Sequence, residues 1–159
     1  MSFLKKLFGG SGTTSPKEPI FPGERYTILK LDMPEGLALA TVNKAYENYP
    51  NKVFYPFFVG IELEILGKND NGHPLPEEGE RLNQLQEEIE SFLRQKHAVH
   101  SVARVTRNGT KDILIYIDTP RLTQEELAAF CSNIQKEREI NFSIQKDSTW
   151  RAVSGFVKQ

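Results

Sequence analysis

Val53-Phe-Tyr-Pro-Phe-Phe-Val-Gly-Ile-Glu-Leu-Glu-Ile-Leu66 is the longest apolar run in the chain. From Phe57 onward it alternates. Phe57, Val59, Ile61, Leu63 and Ile65 point one way, while Phe58, Gly60, Glu62 and Glu64 point the other. A period of two is a β-strand with one face in a core. Pro56 lies near its start, where a missing N–H does least harm.

Everything downstream needs such a surface. Residues 77–96 carry Leu82, Leu85, Ile89, Phe92 and Leu93 on one helical stripe, with acids at the start and Arg94 and Lys96 at the end. Burial of that stripe contributes about 8–15 kcal/mol before ordering entropy is subtracted. Residues 99–107 and 111–118 read as strands joined through Asn108-Gly109, a hairpin signal. Thr123-Gln-Glu-Glu126 is a capping box that opens a helix to about residue 136, striped by Leu127, Phe130, Cys131 and Ile134. Residues 139–146 form the last strand, and a short mixed tail follows Asp147-Ser-Thr-Trp150.

Upstream, residues 24–32 read as a strand, with Tyr26 and Ile28 on one face and Thr27, Leu29 and Leu31 on the other. Met33-Pro-Glu-Gly36 is a turn, and residues 37–43 return as a second strand. A helix over 37–48 is the alternative, because Leu37, Ala38, Leu39, Ala40 and Ala45 are good helix formers. Residues 44–52 read as a loop or a single helical turn, and the Gly/Ser/Pro-rich residues 9–23 as a linker.

The order from residue 53 is therefore β-α-β-β-α-β. The expected fold is an α+β, ferredoxin-like sandwich with both helices on one sheet face and an N-terminal β-hairpin extension. A flexible tail and linker over 1–23 precedes a single domain over 24–159, with its βαββαβ core at 53–147. The face away from the helices is expected to carry Phe58, Glu62, Glu64, Arg104, Leu114, Tyr116 and Asn141, with Arg104 or Lys111 neutralising the carboxylates.

Composition narrows the function classes. The chain has 159 residues, is 38% hydrophobic and 26% charged, and carries a net charge of −1. No global field favours nucleic acid, and Glu62, Glu64, Asp112 and Asp118 would repel phosphate from the sheet, so a nucleic-acid partner is disfavoured. Cys131 is the lone cysteine, which excludes an intrachain disulfide and suits a reducing cytoplasm. His73, His97 and His100 lack the spacing of a metal site, and His97 reads as a helix C-cap. No run approaches the roughly 18 apolar residues of a membrane span. The first ten residues lack the apolar core of a secretory signal. Phe3, Leu4, Leu7 and Phe8 fall on one side of a possible short helix, a weak membrane-surface or partner contact.

No nucleophile, acid–base constellation or phosphate loop stands out, so no catalytic residue, cofactor or metal is assigned. The reading is of a cytoplasmic, non-catalytic module that binds a protein partner. Its expected binding face comprises Phe58, Glu62, Glu64, Arg104, Asp112, Tyr116 and Trp150. A small-molecule or metal-dependent enzyme using Glu62, Glu64, Arg104 and Tyr116 is the alternative, provided those side chains converge in one pocket. A membrane-surface adaptor tethered through residues 1–8 is another.

Gly72-His-Pro74, the acidic helix, Gly109-Thr-Lys-Asp-Ile-Leu-Ile-Tyr116 and Asp147-x-x-Trp150 together resemble the uncharacterised bacterial domain of unknown function 695. Where that family has Gly-x-Arg-Asp, this chain has Gly109-Thr-Lys-Asp112. The family is similar in layout to the ribonuclease E activity regulator B proteins, whose ferredoxin-like domain inhibits an RNase by binding it. The resemblance implies the same sandwich fold and regulation through a protein partner.

Overall fold

A computed structural model describes residues 18–158. The tail residues Phe3, Leu4, Leu7 and Phe8 lie outside them. The strands are β1 (Tyr26–Met33), β2 (Gly36–Asn43), β3 (Phe57–Glu64), β4 (Val99–Arg107), β5 (Thr110–Ile117) and β6 (Ile140–Lys146). The helices are α1 (Pro76–Arg94), α2 (Gln124–Gln135) and α3 (Arg151–Val157). Single 3-10 turns occupy Lys44–Tyr46 and Lys52–Phe54.

All six strands join one antiparallel sheet in the order β1-β2-β4-β5-β3-β6. The apolar run over residues 53–66 becomes a strand only after Pro56, because Lys52–Phe54 is a 3-10 turn. Val53 and Leu66 at its two ends are exposed. Residues 36–43 are strand throughout, so turn chemistry and pairing with β1 override the helix propensity of Leu37 to Ala40.

The two sheet faces are covered differently. On the first face Val59, Ile61, Leu63, Ile113, Ile115 and Ile117 meet Leu82, Leu85, Ile89 and Leu93 of α1 and Ile134 of α2. Phe92 and Phe130 tie the two helices together, with ring centroids 4.1 Å apart and planes 5° from parallel. The predicted capping box is present: Thr123 Oγ1 accepts from Glu126 N–H at 3.0 Å and Glu126 Oε2 accepts from Thr123 N–H at 2.9 Å. Asn108 (φ 30°) and Gly109 (φ 87°) make the tight β4–β5 turn, where left-handed backbone matches strand twist.

The second face has its own core, and the hairpin does not lie over it. β2 pairs edge-on with β4 and widens the sheet. The cover comes from Tyr46, Tyr49 and Tyr55 in the connection to β3 and from Trp150, Val153 and Val157 at the C-terminus. The expected mixed tail is thus corrected: residues 151–157 are helical, and Val153 and Val157 are buried one turn apart.

Candidate functional site

The seven residues expected to share one surface are divided between faces and depths. Phe58, Glu62 and Asp112 do gather on the second face, in a hollow of about 260 Å³ with Gly60, Leu114, Asn141, Ser143 and Arg107. Glu62 faces Asp112 across the β3–β5 ladder. Their counter-charge is Arg107, whose Nε donates to Asp112 Oδ2 at 2.9 Å and whose Nη2 lies 3.7 Å from Glu62 Oε2. Burial pushes the Asp112 carboxyl up, with Arg107 opposing. Its Oδ1 is buried without a partner. Glu64, at the strand end, accepts the Glu139 N–H at 3.0 Å and serves the β3–β6 junction.

Arg104 does not neutralise these carboxylates, and neither does Lys111. Strict alternation from Val99 would put Arg104 beside them, but a β-bulge interrupts the register between Ser101 and Ala103. One extra residue, Val102, turns every later side chain of β4 over. Arg104 therefore lies on the first face with Thr41 and Ile113 as its cross-strand partners. Lys111, also on the first face, donates to Asn83 Oδ1 at 3.0 Å. Burial, with help from Arg104, brings its ammonium down to about 8.

Tyr116 and Trp150 are buried and form the middle of the second core. Their rings stack at 4.0 Å and 8°. The Trp150 indole N–H donates to Tyr55 C=O at 2.9 Å. Tyr116 Oη donates to Asp147 Oδ2 at 2.6 Å, and the same carboxylate accepts the Arg151 and Ala152 N–H groups at 3.0 and 2.9 Å. Asp147-x-x-Trp150 thus starts α3 and fastens it to the sheet. Glu62, Glu64, Arg104 and Tyr116 do not converge in one pocket, the arrangement on which the enzymatic alternative depended.

A larger site forms on the first face. α1 and α2 stand over the β3–β6 part of the sheet, so the first face of β1 and β2 continues beyond them as a bare ledge. Tyr26 is 53% exposed, Ile28 68% and Leu37 39%. Where ledge meets helix there is a recess of about 600 Å³. Its floor includes Tyr26, Thr41, Ser101 and Arg104, and its wall is the α1 flank with Asn83, Gln86, Glu87, Glu90 and Arg94. Glu90 is the fixed point of that wall. Its Oε1 accepts from Ser101 Oγ at 2.7 Å and Gln86 Nε2 at 3.0 Å, and its Oε2 pairs with Arg94 at 2.9 Å.

The recess ends against an aromatic cluster. His100, fully buried, has ring neighbours Tyr55 at 4.0 Å, Phe21 at 4.7 Å, Tyr49 at 5.5 Å, Tyr46 at 5.7 Å and Trp150 at 6.2 Å. Its Nδ1 lies 3.1 Å from Tyr46 Oη, and its Nε2 is buried without a partner. Burial brings the imidazole down to about 4, with Asp118 opposing. His97, by contrast, is the helix cap anticipated: Nδ1 sits 2.9 Å from Leu93 C=O and Nε2 accepts from Arg121 N–H at 2.9 Å. Among the described residues no group of three or more His, Cys, Asp or Glu side chains is placed to hold a metal ion. No helix among them is long and apolar enough to cross a membrane.

Sequence reasoning missed Arg107, the recess and the tyrosine cluster. Only the last left a visible mark: Tyr46, Tyr49 and Tyr55 fall within ten residues of one connection.

Residues 30–156 match the family described as "Family of unknown function (DUF695)". The chain belongs to that family. No curated protein and no solved structure matches it.

Proposed function

We propose that this family member is a non-catalytic module that binds a protein partner along β1. The observation that carries this reading is the exposure of Ile28, 68%, in the middle of an eight-residue edge strand. Among the described residues β1 pairs on one side only, with β2, so its outer edge presents backbone N–H and C=O groups along a strand without proline. Such edges take up an extended segment of another protein, with main-chain bonds giving affinity and side-chain contacts giving choice of partner. Tyr26, Ile28 and the recess beside them supply those contacts. Lys30 and Asp32, further along the same face, add charge selection.

The β3–β6 part is read as a ferredoxin-like unit, supported by its strand order β4-β5-β3-β6 and by two helices packed on one face. A bacterial cytoplasm is the proposed setting, supported by a chain whose lone cysteine needs no oxidising compartment.

The test places a photo-crosslinker at Lys30 on β1 and, as a control, at Glu125 on α2. Capture of one partner from the Lys30 position only, abolished by Ile28→Lys with unchanged thermal unfolding, is the expected result. Equal capture from both positions, or capture insensitive to Ile28→Lys, overturns it. Sedimentation of the pure protein identifies the case in which the occupant of β1 is a second copy.

A further inference from the structure

The segment Pro19-Ile-Phe-Pro22 crosses the aromatic cluster as a strap. Its central residue is held by both backbone polar groups. Ile20 N–H donates to Tyr55 Oη at 3.1 Å, and Tyr49 Oη donates to Ile20 C=O. The next ring, Phe21, lies over His100 with a 32° tilt. With the strap in place the two tyrosines are 5% and 3% exposed.

This is the chemistry of a groove for extended peptide. A hydroxyl donor and a hydroxyl acceptor read the C=O and N–H of one residue, which demands extended backbone and no particular side chain. Flanking prolines keep such a segment extended at small entropic cost, and rigid aromatic walls are what proline-rich segments dock against. The chain's own strap is an incomplete occupant. Ile20 and Phe21 remain 42% and 55% exposed. In either tautomer His100 Nε2 has no partner, although the ring is fully buried. A buried polar atom left unpaired costs free energy.

We propose that the Tyr49–Tyr55–His100 cluster is a docking groove for an extended, proline-flanked apolar–aromatic segment of a partner protein, and that residues 19–22 occupy it in cis until displaced. The groove lies apart from the outer edge of β1, although Phe21 and Pro22 of the strap also line the recess. Affinity for an outside peptide is then reduced by the fraction of time the strap is in place.

The probe is the capped hexapeptide Glu-Pro-Ile-Phe-Pro-Gly, the sequence of residues 18–23, titrated by calorimetry into the full chain. Phe21→Ala is a substitution at a half-exposed ring and leaves the tyrosine hydroxyls in place. The Phe21→Ala chain is expected to bind the peptide about ten-fold more tightly than the wild type does, as removal of an in-cis competitor requires. A second change, Tyr55→Phe, keeps the ring, removes the hydroxyl, and is expected to reverse that gain. A peptide with alanine in place of its phenylalanine is expected to bind at least as weakly. Equal binding by wild type and Phe21→Ala, absence of binding to Phe21→Ala, or indifference to the peptide's phenylalanine overturns the proposal. A wild-type dimer that falls apart on Phe21→Ala also overturns it, because the occupant would then be a second copy's strap. Ile28→Lys, which tests the β1 reading, is expected to leave this titration unchanged.

Discussion

Asp147 and Tyr116 are joined by a 2.6 Å hydrogen bond that links the start of α3 to the centre of the sheet. Burial pushes the Asp147 carboxyl up, but bonds from Ala152 N–H, Tyr116 O–H and Arg151 N–H outweigh it and hold the group below the usual carboxylate range. Replacement by alanine removes a helix cap and leaves a buried phenol unpaired. Asp147→Ala is expected to cost about 2–4 kcal/mol in urea unfolding, and Tyr116→Phe about 1 kcal/mol. Because the folded carboxyl is depressed, its contribution is present at neutral pH and is lost as pH falls through the folded value.

His100 sets a second acid sensitivity, at higher pH. Its folded value is about 4 against 6.5 for the free side chain. Between those values the unfolded chain holds the proton and the folded chain does not, so stability falls as pH drops through that window. The full loss is of order 3 kcal/mol. Unfolding free energies measured from pH 7 to pH 4 are expected to fall more steeply for the wild type than for His100→Phe, by close to one proton in slope. Parallel curves would mean that His100 is solvated in the folded protein.

Two arginines of β4 separate the bulged strand from a regular one. Arg107 compensates Asp112, a half-buried carboxylate, whereas Arg104 forms no ion pair among the described residues. Arg107→Ala is expected to destabilise by about 1–2 kcal/mol, and Arg104→Ala to stay within about 0.5 kcal/mol of the wild type. A strand with unbroken alternation predicts the opposite ranking.

The elements with a strong period were legible: the Phe57 to Ile65 alternation, the Leu82 to Leu93 stripe, the Asn108-Gly109 turn and the Thr123 capping box all fold as read. α3 was not, because Gly155 and two valines give seven residues little helix propensity. Tertiary burial of Val153 and Val157 overrides that deficit. The misplacement of Arg104 has a different origin. A bulge adds one residue without any change in composition, and Val102 beside Ala103 looks like ordinary strand. The recess is less legible still, since it arises from a sheet two strands wider than its helix layer and from no residue pattern. Tyr116 and Trp150 were read as part of a binding face, but they are buried and serve packing.

The place of β3 in the sheet has a kinetic consequence. β1–β2 and β4–β5 are hairpins closed by tight turns, so each can form from neighbouring chain. β3 has no local partner. It lies between β5 and β6, and its Gly60 carbonyl meets Ser143 across 83 residues. The loop entropy for that entry is spent before the strand's contacts repay it. β6 pairs only with β3 among the described strands, so the docking of β3 on β5 is expected to limit folding, with β6 adding afterwards. Val42→Ala in the β1–β2 hairpin is expected to act on the unfolding limb of a chevron, and Ile61→Val in β3 to slow refolding. The stretch that organises the finished fold is then the one whose arrival decides when the fold exists.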